Sequence, residues 1–488
     1  ASAPSILTAA NVALARLDLA TGDLDGAQSY LDAALAEIES LRSRIAAPAL
    51  RATYLGVQSE AYDLQADVYV IRSRRDPAGP WLNLALQTVE RHRARVMLEL
   101  LRERRDNLIS AQDPALRERR RTLQSKARAL AAGLSSNSKP DPAAAATLAD
   151  VLAELDRLES GLRQADPRYA QLTSPPEDVV GTLQSRLSQG QVVLEYELGA
   201  ERSYLFALDR ERVAVFELPP ARVIDDAVRA YYAAVRKLDA AGYRSERSQS
   251  RALSEMLLAP ARDFLDVEAL AFIPEGALHY LPFGALPVPG DGMNRVPLVV
   301  EHEVVSLPSA SVLAVLRRER RSRTPSGKTL AVLADPVYER DDPRLAMGGT
   351  GGQAGELGPD AGRDGFQGFP RLAATRREAT AILAAAPEGT TLRAVGFDAN
   401  RATALSPELA QYGIVHFATH GVFDNESPER SGIVLSMFDP RGEAQDGFLR
   451  LHDIYGLDLP ADMVVMSACD TALGKQIRGE GLVGMVRG

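Results

Sequence analysis

The chain has 488 residues, of which 45% are hydrophobic and 25% are charged, and its formal net charge is −9. This length predicts two or three globular domains, and the acidic balance argues against a dedicated nucleic-acid binder. No apolar run reaches the roughly 18 residues that a membrane-spanning helix needs. The single cysteine cannot form an internal disulfide, so we expect a reducing, cytoplasmic setting.

The two ends of the sequence indicate a piece of a longer protein. The chain begins at Ala1 without a methionine, and its first residues lack the basic region of a signal peptide. Its last residues, "GEGLVGMVRG", have the pattern of the first turns of a helix. We therefore expect both termini to be cut.

Residues 1–172 are predicted to be almost entirely helical. The stretch "LATGDLDGAQSYLDAALAEIESL" contains a Thr-Gly-Asp turn and then places Ala27, Leu31 and Ala34 on one helical face. Ala15 lies on the preceding helix, and small residues on both helices allow the two to approach closely. The pair resembles a tetratricopeptide (TPR) repeat in the placing of these small and bulky residues.

Two observations leave the TPR interpretation open. Asp18 stands where that family prefers an aromatic residue, and no second unit follows in 34-residue register. An unrelated helical hairpin is the alternative.

Further helical segments complete the N-terminal region. A helix is predicted from Trp81 to Leu101, and apolar residues spaced by three and four form a packing seam over 148–162. The basic stretch "RERRDNLISAQDPALRERRR" between them is predicted to be a solvated helical face. Two prolines in "TSPPEDV", at 173–179, predict a domain boundary. The predicted domains are TPR-like repeats at 1–105, a helical linker at 106–174 and an α/β domain at 175–488.

The pattern changes after Pro175. Three short β-prone runs separated by polar turns predict adjacent antiparallel strands at Gln191–Leu198, Ser203–Asp209 and Val213–Leu218, and a helix is predicted around Ile224–Leu238. Later apolar runs alternate with helical stretches, which predicts an α/β domain with a largely parallel sheet. These runs are Ala269–Ile273, Thr329–Pro336, Thr391–Val395, Tyr412–Gly421, Ser431–Ser436 and Asp462–Cys469.

A glycine-rich segment interrupts this region. Residues 348–370 contain nine glycines, and "GTGGQA" fits the G-x-G-x-x-G/A template of dinucleotide-binding proteins. The segment does not directly follow a strand and does not open a helix, so a flexible surface loop is predicted instead.

Two chemically capable side chains come at the ends of predicted strands. "IVHFATHG" ends in His420 and Gly421, and "MVVMSAC" ends in Cys469. Functional groups of α/β sheets gather at the carboxyl ends of the strands, and a nucleophilic thiol needs a base such as histidine. Backbone N–H groups near Gly421 and Cys469 are candidates for stabilising an oxyanion. The alternative for Cys469 is an inert buried thiol.

Several motifs, in order, resemble the CHAT domain, a caspase-like and separase-like cysteine peptidase family often fused to TPR repeats. They are "IPEGALHYLPFGAL", "LPSASVL", "RREATAI", "HFATHGVFDNESPERSGIVLS", "DMVVMSACDTALG" and "GEGLVG". The resemblance extends from Pro175 to Gly488 and implies a caspase-like α/β fold. It also implies that His420 is the catalytic base and Cys469 the nucleophile, with no metal or cofactor.

Other candidate residues keep two interpretations. His416 and His420 are four residues apart, but in a strand this spacing separates them by about 13 Å, so a structural His416 is favoured over a metal pair. Asp470 and Asp424 are candidates for attracting a basic substrate side chain, and turn-stabilising carboxylates are the alternative.

The leading functional hypothesis is a cysteine endopeptidase that cleaves a partner protein after recognition by the helical repeats. Its expected partners are a protein substrate and a regulatory protein, with no membrane and no nucleic acid. The alternative is a non-catalytic scaffold for protein–protein interaction in a signalling pathway.

Overall fold

The computed structural model describes most of the chain outside the segment 94–177. The described residues are 3–43, 57–93, 178–237, 240–290, 296–322, 326–346, 369–422, 431–450, 453–454, 457, 459–467, 475–477 and 481–483, together with isolated positions at 54 and between 119 and 154. The chain divides into two compact units. The first comprises Ala1–Gln124, Leu152–Ser322 and Gln476–Gly481, and the second comprises Ser125–Val151, Arg323–Lys475 and Leu482–Gly488.

The first unit begins with two helical pairs. Their bounds are α1 Ala3–Thr21, α2 Leu24–Ser43, α3 Ser59–Arg75 and α4 Trp81–His92. Ala15, Ala27, Leu31 and Ala34 are all fully buried, which confirms the predicted close packing of the first two helices. Gly22 turns the chain between α1 and α2 with φ of +84°, a conformation that glycine adopts without strain.

Helix α4 ends earlier than the sequence pattern predicts. The predicted helix runs to Leu101, but Arg93 has extended backbone angles (φ −87°, ψ 134°), so the helix stops at His92. The side chain of Arg93 is buried among carboxylates of the following sheet. The ion pairs of Arg93 join residues that are far apart along the chain, so local apolar periodicity does not register them, and the rest of the predicted helix, 94–101, lies outside the described residues.

A five-stranded mixed sheet forms the centre of the first unit, in the order β3-β2-β1-β4-β5. Its strands are β1 Gln191–Leu198, β2 Ser203–Leu208, β3 Val213–Leu218, β4 Ala269–Ile273 and β5 Glu303–Ser306. The first three strands pair antiparallel, as predicted, whereas β1–β4 and β4–β5 pair parallel. The sheet is accompanied by helices α5 Val179–Gln184, α6 Ala221–Val235, α7 Ala240–Leu257, α8 Leu298–Glu301 and α9 Ala310–Ser322.

The strand β1 is buried on both faces. Val192, Leu194 and Tyr196 pack in one apolar cluster with residues of α6 and α7. Val193 points to the opposite face and packs in a second cluster with residues of the N-terminal helices. Because side chains alternate along a strand, Glu195 and Glu197 share this second face.

The second unit contains a four-stranded sheet in the order β12-β8-β6-β7. Its strands are β6 Lys328–Ala334, β7 Thr391–Val395, β8 Tyr412–Ala418 and β12 Met463–Ser467. Every pairing in this sheet is parallel, which agrees with the predicted parallel α/β sheet. Helices α10 Pro343–Ala346, α11 Ala373–Ala384 and α12 Arg401–Ala404 belong to the same unit, and Ala379 of α11 packs on one face of the sheet with Val332.

A smaller antiparallel sheet lies in the second unit, formed by β9 His420–Val422, β10 Gly432–Val434 and β11 Phe448–Arg450. The predicted strand Tyr412–Gly421 is therefore divided at Thr419, whose hydroxyl donates to the carbonyl of Val434. Strands β13 Lys475–Ile477 and β14 Gly481–Val483 pair separately. Among the helices of the described residues, none is both long and apolar enough to cross a bilayer.

Candidate active site

His420 lies where the chain leaves the parallel sheet. Strand β8 ends at Ala418, Thr419 is buried, and His420 begins β9 with a half-buried side chain. Its Nε2 atom is 2.7 Å from the carbonyl oxygen of Pro370. A carbonyl oxygen only accepts hydrogen bonds, so Nε2 carries the proton and donates it. The neutral ring then has its basic lone pair on Nδ1.

Two aromatic side chains hold the ring of His420. The ring of Tyr338 lies edge-on at 4.9 Å between centroids, and the ring of Phe369 lies at 5.5 Å. The Tyr338 hydroxyl is 2.8 Å from Oγ1 of Thr419, the residue that precedes the histidine. Burial raises the pKa of Tyr338 to about 12, so its hydroxyl stays protonated near neutral pH. The imidazole is thus confined by packing as well as by hydrogen bonding.

Strands β8 and β12 end side by side. In their parallel register Ser467 pairs with Ala418, and each is the last residue of its strand. His420 follows Ala418 by two residues, and Cys469 follows Ser467 by two residues. Cys469 itself lies outside the described residues, as do Asp470 and Asp424.

Gly421, the predicted oxyanion residue, lies next to His420 in β9. It stands opposite Ile433 in the antiparallel pair with β10. Gly421 is therefore the second residue of the short strand that His420 begins.

His416 has a different environment from His420. It is buried in the middle of β8, and its Nε2 atom is 2.9 Å from Oε1 of Glu378 on α11. This contact agrees with the predicted structural role. The two histidines therefore have separate partners, and nothing in their contacts favours the metal pair.

In the described part of the chain, one group of side chains has metal-ligand spacing. His92, Glu197 and Glu275 of the first unit are buried, with ligand atoms within 4.8 Å of one another. Arg93 Nη2 lies 2.7 Å from Glu197 Oε2 and 3.6 Å from Glu275 Oε2. Because the guanidinium already supplies positive charge to both carboxylates, the donor set does not call for a metal ion.

Comparison with known proteins places the C-terminal half of the chain in a family. Residues 247–488 match the CHAT domain. The chain carries a CHAT domain. This caspase-like family agrees with the motifs noted in the sequence, although the match begins at Arg247 within α7 rather than near Pro175. No family match identifies TPR repeats in the N-terminal helices, and no curated protein matches the chain. The predicted domain boundaries stay predictions.

The CHAT domain contains a charged cluster that the sequence interpretation missed. Asp335 directly follows β6, is fully buried, and has φ of +50°, which is unusual for a residue with a side chain. Arg371 donates from Nε to Oδ1 and from Nη2 to Oδ2, both at 2.9 Å, and Arg376 Nε donates to Oδ2 at 2.6 Å. Arg344 Nη1 lies 3.1 Å from Oδ2.

Hydrogen bonding decides the charge of Asp335. Burial acts to raise its pKa, but the hydrogen bonds from Arg371 and Arg376, together with the positive charges of Arg344 and Arg371, hold the pKa below its usual range. The sequence did carry a signal for this residue. In "TLAVLADP", Asp335 stands at the carboxyl end of a strand, where functional groups of parallel sheets collect.

A second buried ionic cluster lies in the first unit. Arg93 Nε is 3.0 Å from Glu195 Oε1, in addition to its contacts with Glu197 and Glu275. Burial acts to lower the pKa of Arg93, but the surrounding carboxylates raise it above its usual value. Burial and the nearby charge of Glu90 raise the pKa of Glu195 well above normal. The cluster fastens the end of α4 to the sheet, so its role is structural.

Proposed function

We propose that this protein is a cysteine-dependent peptidase of the CHAT type, in which a His420–Cys469 dyad cleaves a partner protein. The observation that carries the proposal is the hydrogen bond from His420 Nε2 to the Pro370 carbonyl. This bond commits one ring nitrogen as a donor and leaves Nδ1 as the base, as a thiol-activating histidine requires.

The register of the parallel sheet supports the pairing of the two residues. His420 and Cys469 have equal offsets from Ala418 and Ser467, which are paired neighbours at the carboxyl ends of their strands. Adjacent parallel strands present their following residues at one sheet edge. We infer that the thiol of Cys469 comes within proton-transfer distance of Nδ1 at this edge.

The proposed reaction is acyl transfer through a thioester. His420 Nδ1 accepts the thiol proton, and the Cys469 thiolate attacks the scissile carbonyl carbon. Backbone N–H groups near Gly421 and Cys469 stabilise the oxyanion of the tetrahedral intermediate. The imidazolium then protonates the departing amine, and a water molecule activated by the same imidazole hydrolyses the thioester.

Recognition is proposed at two places. Asp470 and Asp424 follow the two proposed catalytic residues closely in sequence, so their carboxylates would attract a basic side chain of the substrate. The helical hairpin of α1 and α2 would receive a regulatory protein, in the manner of the TPR repeats that it resembles.

The test is peptidase profiling of the full chain against a diverse peptide library, with and without candidate partner proteins. The control is Cys469→Ala, which removes only the sulfur nucleophile. We expect cleavage products that are absent with the Cys469→Ala protein. Identical product profiles for the two proteins would refute the peptidase function and favour the scaffold.

A further inference from the structure

We propose that Asp335 and Arg371 are positioning residues for His420. Their ion pair fixes the carbonyl group of Pro370, and this carbonyl keeps the imidazole in the tautomer with its proton on Nε2. The catalytic value of this arrangement rests on the proposed function, whereas the control of the tautomer does not.

Asp335, the residue to which the arginines bind, is held rigidly. Asp335 follows the central strand β6 directly, and its carboxylate is fully buried. Its backbone N–H donates to Oγ1 of Thr375 at 3.1 Å, and its backbone carbonyl accepts from Nη1 of Arg344 at 2.7 Å. Backbone and side chain are therefore both held, and the unusual φ of +50° is maintained by these contacts.

The residues that lead into α11 and form its first turn are attached to Asp335 at three places. Arg371 binds both carboxylate oxygens of Asp335, while Thr375 and Arg376 of the first helical turn bind its N–H and Oδ2. A two-bond arginine–carboxylate pair fixes orientation as well as distance. Pro370 immediately precedes Arg371, and its ring restricts its own φ angle. The direction of the Pro370 carbonyl is consequently set by the Arg371–Asp335 pair.

Neutralising buried charge alone does not explain this arrangement. The side chains of Arg371 and Arg376 are 36% and 42% exposed, so water could solvate both guanidinium groups without Asp335. They instead converge on one buried carboxylate beside the segment that contacts the imidazole. Asp342, by contrast, accepts hydrogen bonds from Arg344 and acts on Arg371 through its charge alone, with no hydrogen bond to Arg371 or Pro370 in the described residues.

Replacing Asp335 by asparagine changes the hydrogen bonds that position the Pro370 carbonyl but keeps the shape of the side chain, and therefore its packing. The amide has the same shape, but it replaces one acceptor oxygen with an N–H donor that faces a guanidinium donor. The two-bond pair is lost, the Pro370 carbonyl can turn away, and the Nε2 proton loses its fixed acceptor. The imidazole of Asp335→Asn should then populate both neutral tautomers.

The first measurement is ¹⁵N NMR of histidine-labelled protein at a pH where the ring of His420 is neutral. The chain has six histidines, so the His420 signals are assigned by their loss in His420→Gln. The wild-type protein and the matched control Asp342→Asn should show a protonated Nε2 and an unprotonated Nδ1. Asp335→Asn should show averaged signals from the two tautomers.

The second measurement is the pH profile of Cys469 alkylation by iodoacetamide. Asp335→Asn should slow labelling near pH 7 by about tenfold and move the profile towards higher pH, because a misplaced base activates the thiol poorly. Asp342→Asn should label like the wild-type protein. Arg371→Lys keeps the positive charge but loses the two-bond geometry, so it should change both measurements in the same direction as Asp335→Asn.

The outcomes separate the positioning role from the proposed function. A folded Asp335→Asn protein with a wild-type tautomer and labelling profile would overturn the positioning role. If Asp335→Asn fails to fold, the same result with Arg371→Lys would overturn it. Slow wild-type labelling that His420→Ala leaves unchanged would instead count against the dyad, and the NMR measurement would still decide the control of the tautomer.

Discussion

Ser467 and Ala418 are paired neighbours in the parallel sheet, and each is the last residue of its strand. Because Cys469 and His420 follow them at equal offsets, we expect the thiol to react as a His-activated nucleophile. An ordinary thiol is only a few per cent thiolate at pH 7, so removing the base should slow labelling by about tenfold. The measurement compares iodoacetamide labelling of the wild-type protein and His420→Ala by mass spectrometry.

A matched control exists for that substitution. His302 also has a ring nitrogen bonded to a backbone carbonyl, with Nδ1 2.7 Å from the oxygen of Val267. We expect His302→Gln to label at the wild-type rate. Equal slowing by both substitutions would indicate a general loss of structure and would contradict the specific role of His420.

The structural role of His416 gives a second prediction. Glu378→Ala removes the acceptor 2.9 Å from the buried His416 ring and should lower the free energy of unfolding by about 1 kcal/mol. The rate of Cys469 labelling should stay unchanged, since His416 has no part in the proposed chemistry. Urea unfolding and labelling of the same preparation test both statements, and a loss of labelling without a loss of stability would assign His416 to the active site.

The buried ionic cluster around Arg93 predicts a large loss of stability. Arg93 is 4% exposed, and Arg93→Met would leave three nearby glutamates without their cation. Breaking a buried charge pair in this way costs about 3–5 kcal/mol. Arg74→Met is the control, because the side chain of Arg74 is 46% exposed in its pair with Glu217 and such surface pairs contribute about 0–1 kcal/mol. Similar denaturation midpoints for the two variants would show that the glutamates are neutralised by other means.

Asp67 of α3 predicts a pH-dependent stability. Burial is the main cause that raises the pKa of Asp67, to about 6. The negative charges of Glu217 and Glu197 also raise it, whereas the hydrogen bond with Tyr204 and the positive charge of Arg202 lower it. The folded state therefore holds this proton more tightly than the unfolded state, and stability falls as pH rises from about 4 to about 6.

The corresponding test is Asp67→Asn. We expect a gain of about 1–3 kcal/mol in the free energy of unfolding at pH 7–8, because the amide cannot ionise. The gain should disappear below about pH 4, where the carboxyl group is protonated in both states. Denaturant titrations across this pH range measure the difference. A gain of equal size at every pH would rule out ionisation as its cause.

Much of the local structure could be predicted from residue patterns. The three antiparallel strands, the strand Thr391–Val395 and the close-packed alanines of α1 and α2 all agree with the structure. In each case the pattern reports the burial of one face of a regular element. The end of α4 at His92 was predicted wrongly, because the carboxylates that pair with Arg93 are about a hundred or more residues away along the chain.

The candidate site could likewise be predicted from the sequence only in part. His420 and Gly421 could be named because each comes at a strand end within a recognisable motif. The contacts of Pro370, Asp335 and Arg371 could not be predicted, because all three residues lie far from His420 along the chain. Asp335 carried one sequence signal, its position at the carboxyl end of a strand, but that signal did not identify its arginine partners.

The sequence alone thus determined the kinds of element, the presence of the CHAT motifs and the identity of the candidate base and nucleophile. Tertiary structure decided which strands are neighbours, which ring nitrogen of His420 donates, and which carboxylate fixes the segment that receives this hydrogen bond. Periodicity and motifs depend on neighbouring residues along the chain. Hydrogen-bond partners and buried ion pairs depend instead on distances between segments that only folding brings together.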